Sequence, residues 1–498
     1  MPKRATVFEL TFPPRDAGAT AYRWLCSAVR ARILEGSLRP GMRLPGTRDL
    51  AEQHGLSRGT IVNAFEQLKA EGYLEGRVGS GTFVSATLPE QWLVVPPEPG
   101  TQPLARARRP RRLSSFAKRV RSFPVLEVRP SRAFRPNLPA LDLFPAALWA
   151  QITARSLRHA SSKLFTGCGP MGYPPLRAAV ADYLRASRGV RCVPEQVAIV
   201  SGVQDALDLV ARLFIEPGDR VCVEDPGYPG ASIVFEMLGA KISAMALDEQ
   251  GMVLHARGLR GAKLVYVTPA HQFPLGIAMS LQRRLALLDW ARRSNALIFE
   301  DDYDSEFRYV GHPLPALQGL DHGGCVLFAG SFSKVLFPSL RLGYMVIPTD
   351  LIALFEATKS ATSRHPTLLD QVVLSEFITE GHFGRHLRRM RGVYAERQRT
   401  LLEFGRQELK GLLEISSVEA GLQTVGWLLA GIDEASATKA AAARQVEVMP
   451  LGRFSREHPT PAGLQLGFAA MDPAEIRRGV RELGAALRGV KRSGFRGS

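Results

Sequence analysis

Glu300-Asp-Asp-Tyr303-Asp-Ser-Glu306 and, further on, Gly330-Ser-Phe-Ser-Lys334-Val-Leu-Phe-Pro-Ser-Leu-Arg341-Leu-Gly343 are the stretches on which the reading of this chain turns. An apolar run, Ala296-Leu-Ile-Phe299, leads into the first and another, Cys325-Val-Leu-Phe328, into the second. Both therefore read as buried strands that end at a site, and strand ends are where α/β sheets place their chemistry. A lysine among small hydroxyl residues, with an arginine downstream and an Asp-x-Tyr upstream, is the set that pyridoxal phosphate requires. Lys334 would form the Schiff base, Ser331, Ser333 and Arg341 would hold the phosphate, Asp301 would keep the pyridine nitrogen protonated, and the Tyr303 phenol would face the ring oxygen. Taken singly, Lys334 reads as a surface lysine, Asp301 as a turn cap and Arg341 as a partner for Asp302 or Asp304. Only their conjunction points to a cofactor.

The 498 residues exceed one ordinary core and predict a small plus a large domain or several domain-sized units. No apolar run approaches the ~20 residues of a membrane helix. No apolar segment follows Met1-Pro-Lys-Arg4, so a cytoplasmic, nucleoid-associated protein is expected. Five scattered cysteines without a Cys-x-x-Cys pair read as reduced and structural, and no metal set is expected. The net charge of +17 is concentrated at one end, because Met1–Pro130 holds 21 Lys and Arg against 11 Asp and Glu. A basic terminal module predicts a polyanionic partner.

That module has the proportions of a DNA reader. Tyr22, Leu25, Cys26, Val29, Ile33 and Leu34 form one face of a helix over Ala19–Glu35, stopped by Gly36. Thr47 is expected to cap a helix Arg48–His54 ended by Gly55, and Ser57 to cap a third over Arg58–Glu71. Two short helices joined across Gly55-Leu56 have helix-turn-helix dimensions. The second would offer Arg58, Thr60 and Asn63 to base edges, with Arg48 and Ser57 beside them. Tyr73 to Ser85 reads as two strands around a glycine turn, a wing in which Arg77 and Gly81 could approach a phosphate. The topology alone would also suit a protein-binding module.

Residues 87–130 lose periodicity and carry Pro-rich and Arg-rich tracts, including Arg106, Arg108, Arg109, Arg111, Arg112, Lys118, Arg119 and Arg121, and read as a linker. These cations could add salt-sensitive DNA affinity or simply solvate a tether. From about 131 onward, helices alternate with short apolar strands, among them Val197–Val200, Arg220–Val223, Leu264–Val267, Ala296–Phe299 and Val326–Ala329. Such alternation predicts a mostly parallel or mixed sheet covered by helices. A smaller α+β part is expected from about 406 to 490, with strands at Val446–Met449 and Leu464–Phe468.

Five blocks of the head, Leu44-Pro-Gly-Thr-Arg48, Asp49-Leu-Ala51, Ser57-Arg-Gly-Thr-Ile61, Glu71-Gly-Tyr-Leu74 and Gly79-Ser-Gly-Thr-Phe-Val84, make residues 18–86 resemble the GntR-type winged helix. The region 131–490 resembles fold type I aminotransferases through Ser201-Gly-Val-Gln204, Glu224-Asp-Pro-Gly-Tyr228-Pro-Gly230, Tyr266-Val-Thr-Pro-Ala-His271-Gln272 and the two opening stretches. The whole chain therefore resembles the MocR subfamily of GntR regulators. The fold this implies is an all-α winged helix-turn-helix head followed by an α/β aminotransferase-like domain that binds pyridoxal 5'-phosphate.

Carried over position by position, the resemblance makes Lys334 the Schiff-base lysine, Asp301 the pyridine partner and Tyr303 the ring-oxygen donor. It puts Gly202, Val203 and Gln204 with Ser331, Ser333 and Arg341 around the phosphate, stacks Tyr228 on the ring and places His271 near the ring oxygen. Some relatives that recognise an amino-acid carboxylate use an arginine two positions beyond the stacking tyrosine, where this chain has Gly230. The C-terminal arginine of aminotransferases falls at Pro461 or a neighbour, with Arg453 and Arg456 the nearest candidates. A carboxylate without a bidentate arginine loses its best ligand.

These departures favour a homodimeric regulator that binds operator DNA and senses a vitamin B6 species or an amine or amino-acid effector at Lys334. The alternative is an active aminotransferase with an accessory DNA-binding module.

Overall fold

The computed structural model describes residues 10–13, 15, 20–77, 79–88, 112–120, 132–309, 311, 314–429 and 431–494. The chain divides into two compact units between Arg111 and Arg112. Most of the stretch read as a linker, including Arg106, Arg108, Arg109, Arg111 and Arg121, lies outside the described residues. Within it, Ser114 caps a one-turn helix, Ser115–Arg119, and the Arg119 Nε donates to the Met237 carbonyl at 3.0 Å. This end of the tract is thus held by the large unit.

In the first unit, α1 (Ala21–Leu34), α2 (Thr47–His54) and α3 (Arg58–Ala70) enclose a core of Leu25, Val29, Leu50, Ile61, Phe65 and Leu68. The Ser57 hydroxyl accepts the Thr60 amide at 3.1 Å, which caps α3. Thr47 does not cap α2. Gly46 holds the N-cap position without a side-chain bond and Thr47 is already the first helical residue. Gly55 ends α2 in the left-handed region at φ +63°, which a residue without a Cβ adopts without strain. The wing is an antiparallel pair, β1 (Leu74–Arg77) with β2 (Gly81–Val84), and the connector joins it through Leu44 N to Thr82 O and Val84 N to Met42 O.

The second unit is organised on an eight-stranded sheet in the order β3-β10-β9-β8-β7-β4-β5-β6. Its strands are β3 (Val197–Val200), β4 (Arg220–Asp225), β5 (Lys241–Asp248), β6 (Gly251–Met252), β7 (Ala262–Val267), β8 (Leu297–Asp302), β9 (Val326–Ser331) and β10 (Gly343–Val346). Pairs β9-β8, β8-β7, β7-β4 and β4-β5 are parallel, whereas β10 is antiparallel to both its neighbours. The expected mixed sheet is present. Strand β10 is the element that the sequence pattern concealed, because four buried residues directly after a turn are too few to show a period.

The smaller part carries the antiparallel sheet β11-β12-β14-β13, built from β11 (Leu413–Ile415), β12 (Gln423–Leu428), β13 (Met449–Pro450) and β14 (Gly463–Gly467). The strand expected over Val446–Met449 is shifted: Val446 makes a single bridge to Ala133, and the pairing with β14 begins at Met449. Phe134 also bridges to Gly467, so residues from the start of the second unit complete this sheet. A 27-residue helix, His382–Glu408, runs through the position near 406 where the smaller part was expected to begin. Among the described residues no helix is long and apolar enough to cross a membrane, and the five cysteines are free thiols.

Candidate functional site

The carboxyl ends of β8 and β9 and the start of the helix Val203–Phe214 converge on a cavity of about 180 Å³. Of the residues singled out from the sequence, Val203, Tyr228, Asp301, Tyr303, Ser331, Lys334 and Arg453 line it. Asp301 is buried, and one carboxylate oxygen accepts the Tyr266 hydroxyl at 2.7 Å. Its other oxygen, Oδ1, is buried without a partner among the described residues. Burial pushes this carboxyl up to about 7 against the Tyr266 hydrogen bond, and the Asp302 and Asp304 charges push the same way. An acceptor in that condition lacks only a cationic N–H donor.

Lys334 is half-buried and donates to the Asn137 carbonyl at 3.0 Å. Burial pulls its amine down to about 8, opposed by Asp304 and Asp301. A shift toward the neutral form is what a nucleophilic amine needs. The Tyr303 hydroxyl lies 3.1 Å from His271 Nδ1, which in turn lies 2.8 Å from Asp304 Oδ1. Facing a carboxylate, Nδ1 carries the ring proton, so the tyrosine keeps its own proton for an acceptor in the cavity. His271 is therefore behind Tyr303 and does not line the cavity.

At the other end, Gly202 is the N-cap of Val203–Phe214 at φ +124°, and an Arg341 Nη1 lies 4.0 Å from where a Gly202 Cβ would be. Ser331 Oγ accepts the Ser333 amide at 3.2 Å. Helix-terminal amides, two serines and an arginine make a cradle for a dianion. Gln204 sits at its edge, its Nε2 3.5 Å from the Gly230 carbonyl and its Oε1 buried without a partner among the described residues. Gly230 packs under Tyr228, where an added Cβ would meet the ring at 2.5 Å. No side chain fits at 230 while Tyr228 keeps this pose.

Sequence reasoning missed Asn137, Phe273, Met449 and Phe454, which line the cavity from distant parts of the chain. Asn137 at φ +66° carries the one signal available, an asparagine in a left-handed turn. Met449, Arg453 and Phe454 form a roof from the smaller part, and a clasp holds it. The buried Asp225 carboxylate accepts the backbone amides of Arg456, Glu457 and His458 at 2.7, 2.7 and 2.8 Å, and Gly227 N donates to Phe454 O at 3.0 Å.

On the first unit, Arg48, Ser57, Arg58 and Asn63 are exposed and Thr60 half-buried, its hydroxyl 2.8 Å from that of Ser57. Arg77 pairs with Glu75 at 2.7 Å and lies over the Phe83 ring. Gly81, at φ +108°, leaves room for the Arg43 guanidinium, a cation that sequence reasoning passed over. Arg43, Arg48 and Arg58 make no ion pair among the described residues, which leaves three cations on the helix-turn-helix and wing surface.

Fold and site together define a helix-turn-helix protein fused to an aminotransferase-like domain. Residues 21–84 match the family of bacterial regulatory proteins, gntR family, and residues 137–483 match aminotransferase class I and II. The probable rhizopine catabolism regulatory protein MocR of Rhizobium meliloti is 41% identical over 481 residues, 96% of each chain. The HTH-type pyridoxine biosynthesis transcriptional regulator PdxR of Corynebacterium glutamicum is 30% identical, over 93% of this chain and 95% of its own. The crystal structure of kynurenine aminotransferase from Pyrococcus horikoshii superposes with a TM-score of 0.69 at 28% identity, over 76% of this chain and 97% of its own. That of LysN, an α-aminoadipate aminotransferase from Thermus thermophilus, does so with a TM-score of 0.69 at 30% identity and the same coverages. The chain belongs to the MocR subfamily of GntR-type transcriptional regulators.

Proposed function

We propose that the protein regulates transcription as a homodimer in the cytoplasm, holding pyridoxal 5'-phosphate in the large-unit cavity and responding there to a small amine or B6 vitamer. The observation that carries the cofactor assignment is the buried, unpartnered Asp301 Oδ1, placed in one cavity with the Lys334 amine. Asp301 would receive a pyridinium N–H, Tyr303 would donate to the ring oxygen, and Tyr228 would cover the ring. The amides at Gly202 and Val203, with Gln204, Ser331, Ser333 and Arg341, would take the phosphate. Bound there, the cofactor supplies an aldehyde carbon that condenses reversibly with a primary amine. Lys334 would supply the primary amine, whose neutral form burial favours. His271 supports Tyr303 from behind and is not assigned a cofactor contact.

An effector shifts the two DNA heads only through different affinity for two arrangements of them. In each head, Arg58, Thr60 and Asn63 would read bases while Arg48, Ser57, Arg77 and Gly81 lie against the backbone. Two properties of the purified protein test this reading. It should retain visible absorbance through gel filtration, lost in Lys334→Ala, and retard DNA from upstream of its own gene, with retardation lost in Arg58→Ala of unchanged circular dichroism. A colourless wild type, or one indifferent to that DNA, refutes it. The depressed Lys334 amine would equally suit a proton-transferring base, so turnover of an amino donor with a keto acid is the result that would favour an aminotransferase.

A further inference from the structure

A separate polar cavity, of about 260 Å³, opens between the helix Pro174–Arg188, the loop that follows β8 and the helix His382–Glu408, lined by Tyr183, Arg188, Ser305, Glu306, Arg308 and Arg391. It shares no lining residue with the cofactor cavity. The Arg188 Nε donates to Asp302 at 2.8 Å. Successive residues of a strand point to opposite faces, so Asp302 looks away from its neighbour Asp301 and the polar cavity lies behind the cofactor site.

Arg188 Nη2, Ser305 Oγ, Glu306 Oε2 and Arg308 Nε are buried there without a partner among the described residues. The side chains of Arg188, Ser305 and Glu306 are more than nine-tenths buried. Three of the four are fixed through their other atoms. Arg188 Nη1 donates to the Leu314 carbonyl at 2.7 Å, Glu306 Oε1 accepts the Tyr183 hydroxyl at 3.2 Å, and Arg308 pairs with Glu419. The Arg391 Nε donates to the Glu306 carbonyl at 2.6 Å, and the rest of its guanidinium makes no bond among the described residues.

These atoms differ in what they require. Two guanidinium N–H groups and a hydroxyl donate, whereas an ionised carboxylate oxygen only accepts. A bare anion would satisfy the donors and be repelled by Glu306. An oxyanion that keeps one hydroxyl meets both demands, accepting the N–H groups on its unprotonated oxygens and donating its own O–H to Glu306 Oε2. The volume is far more than one water needs and suits an anion of a few heavy atoms. We infer that this cavity is a binding site for a small hydroxyl-bearing oxyanion, hydrogen phosphate or hydrogen carbonate, held by Arg188, Arg308 and Ser305 and selected by Glu306. The inference does not rest on the cofactor reading above.

The test is calorimetric titration of cofactor-loaded protein, freed of excess cofactor by gel filtration so that the phosphate cradle is filled. The probes are inorganic phosphate and hydrogen carbonate, each with a hydroxyl at about pH 8, and sulfate, which has none. The wild type should bind one equivalent of phosphate or hydrogen carbonate at least about 10-fold tighter than sulfate, which leaves the Glu306 carboxylate unpaired. Whichever of the two binds tighter identifies the oxyanion. Glu306→Gln puts an N–H donor in place of the acceptor and keeps an oxygen for Tyr183, so the preference over sulfate should fall to one or below. Ser305→Ala should weaken phosphate and sulfate alike, about 3- to 10-fold, and carries the test if Glu306→Gln does not fold. Protein that retains no cofactor can be titrated in the same way, since phosphate in the cradle would answer to neither substitution. Equal binding of all three probes by the wild type would mean an adventitious ion only, and heat with none of them would mean that water fills the cavity. A preference that survives Glu306→Gln, or a phosphate affinity unchanged in Ser305→Ala, would place the anion elsewhere. Each of these results overturns the inference.

Discussion

Replacing Asp225 with alanine should loosen the cavity roof without unfolding the sheet beneath it. Three backbone amides, of Arg456, Glu457 and His458, converge on the Asp225 carboxylate at 2.7–2.8 Å. A hydrogen bond to a charged group contributes roughly 1.5–3 kcal/mol net. Arg456 and Glu457 are exposed, so water can satisfy their amides once the loop lifts, and the three bonds share one acceptor. The sum therefore falls below the ~4.5 kcal/mol that three independent bonds would give at the low end of that range, to about 3 kcal/mol for the whole clasp. If the roof opens as a unit, that loss raises its open population about 100-fold.

Native-state hydrogen exchange at residue resolution reads this. The informative amide is that of Gly227, whose bond to Phe454 O crosses the same seam without using the Asp225 carboxylate. Its exchange should accelerate about 100-fold in Asp225→Ala, while amides of β8 and β9 hold their wild-type rates. Asp225→Asn, which keeps one acceptor oxygen, should fall between. An unchanged Gly227 rate would show that the three bonds do not hold the roof.

Three other outcomes follow from named contacts. Gly230→Ala should cost ~1–3 kcal/mol by overpacking and weaken cofactor retention, because its methyl would meet the Tyr228 ring; thermal unfolding and visible absorbance check this, and an unaffected protein would mean that Tyr228 has another pose of equal energy. In cofactor-free protein, Asp301, Glu224 and Glu300 are pushed up to about 7, so between pH ~4 and 7 the folded state holds protons that the unfolded chain has released, and these groups lower stability as pH rises through that window. Denaturant midpoints of Asp301→Asn should therefore gain on the wild type from pH 4 to 7, and a constant difference would contradict the raised carboxyl. Arg58→Ala should cost ~1–3 kcal/mol of DNA affinity if it contacts a base edge and show that loss only on the cognate site; a uniform loss across sequences, with a shallower salt dependence in binding titrations, would make it a phosphate contact.

The parts of the site that were legible in the sequence fall in groups, each within a single strand and its following turn. Asp301 and Tyr303 leave the end of β8, and Ser331, Ser333 and Lys334 leave the end of β9, so their mutual spacing survives as spacing along the chain. The helix-turn-helix was legible for the same reason, since the three-and-four apolar pattern and the Ser57 cap are local. Strand β10 was not, because four residues between a turn and a loop carry no period.

What the sequence by itself determined is the class of chemistry: residues whose roles depend on neighbours a few positions away announce themselves in order. Tertiary structure alone decided which atoms are left wanting. That Asp301 Oδ1 lacks a donor, that His271 faces Asp304 instead of the cavity, that Gly230 lies under a ring and that Arg453 overhangs the cavity while Arg456 is tied to Glu236 all depend on segments far apart in the chain. Burial and pairing are properties of the packed surroundings, and those surroundings exist only once the smaller part has closed against the sheet.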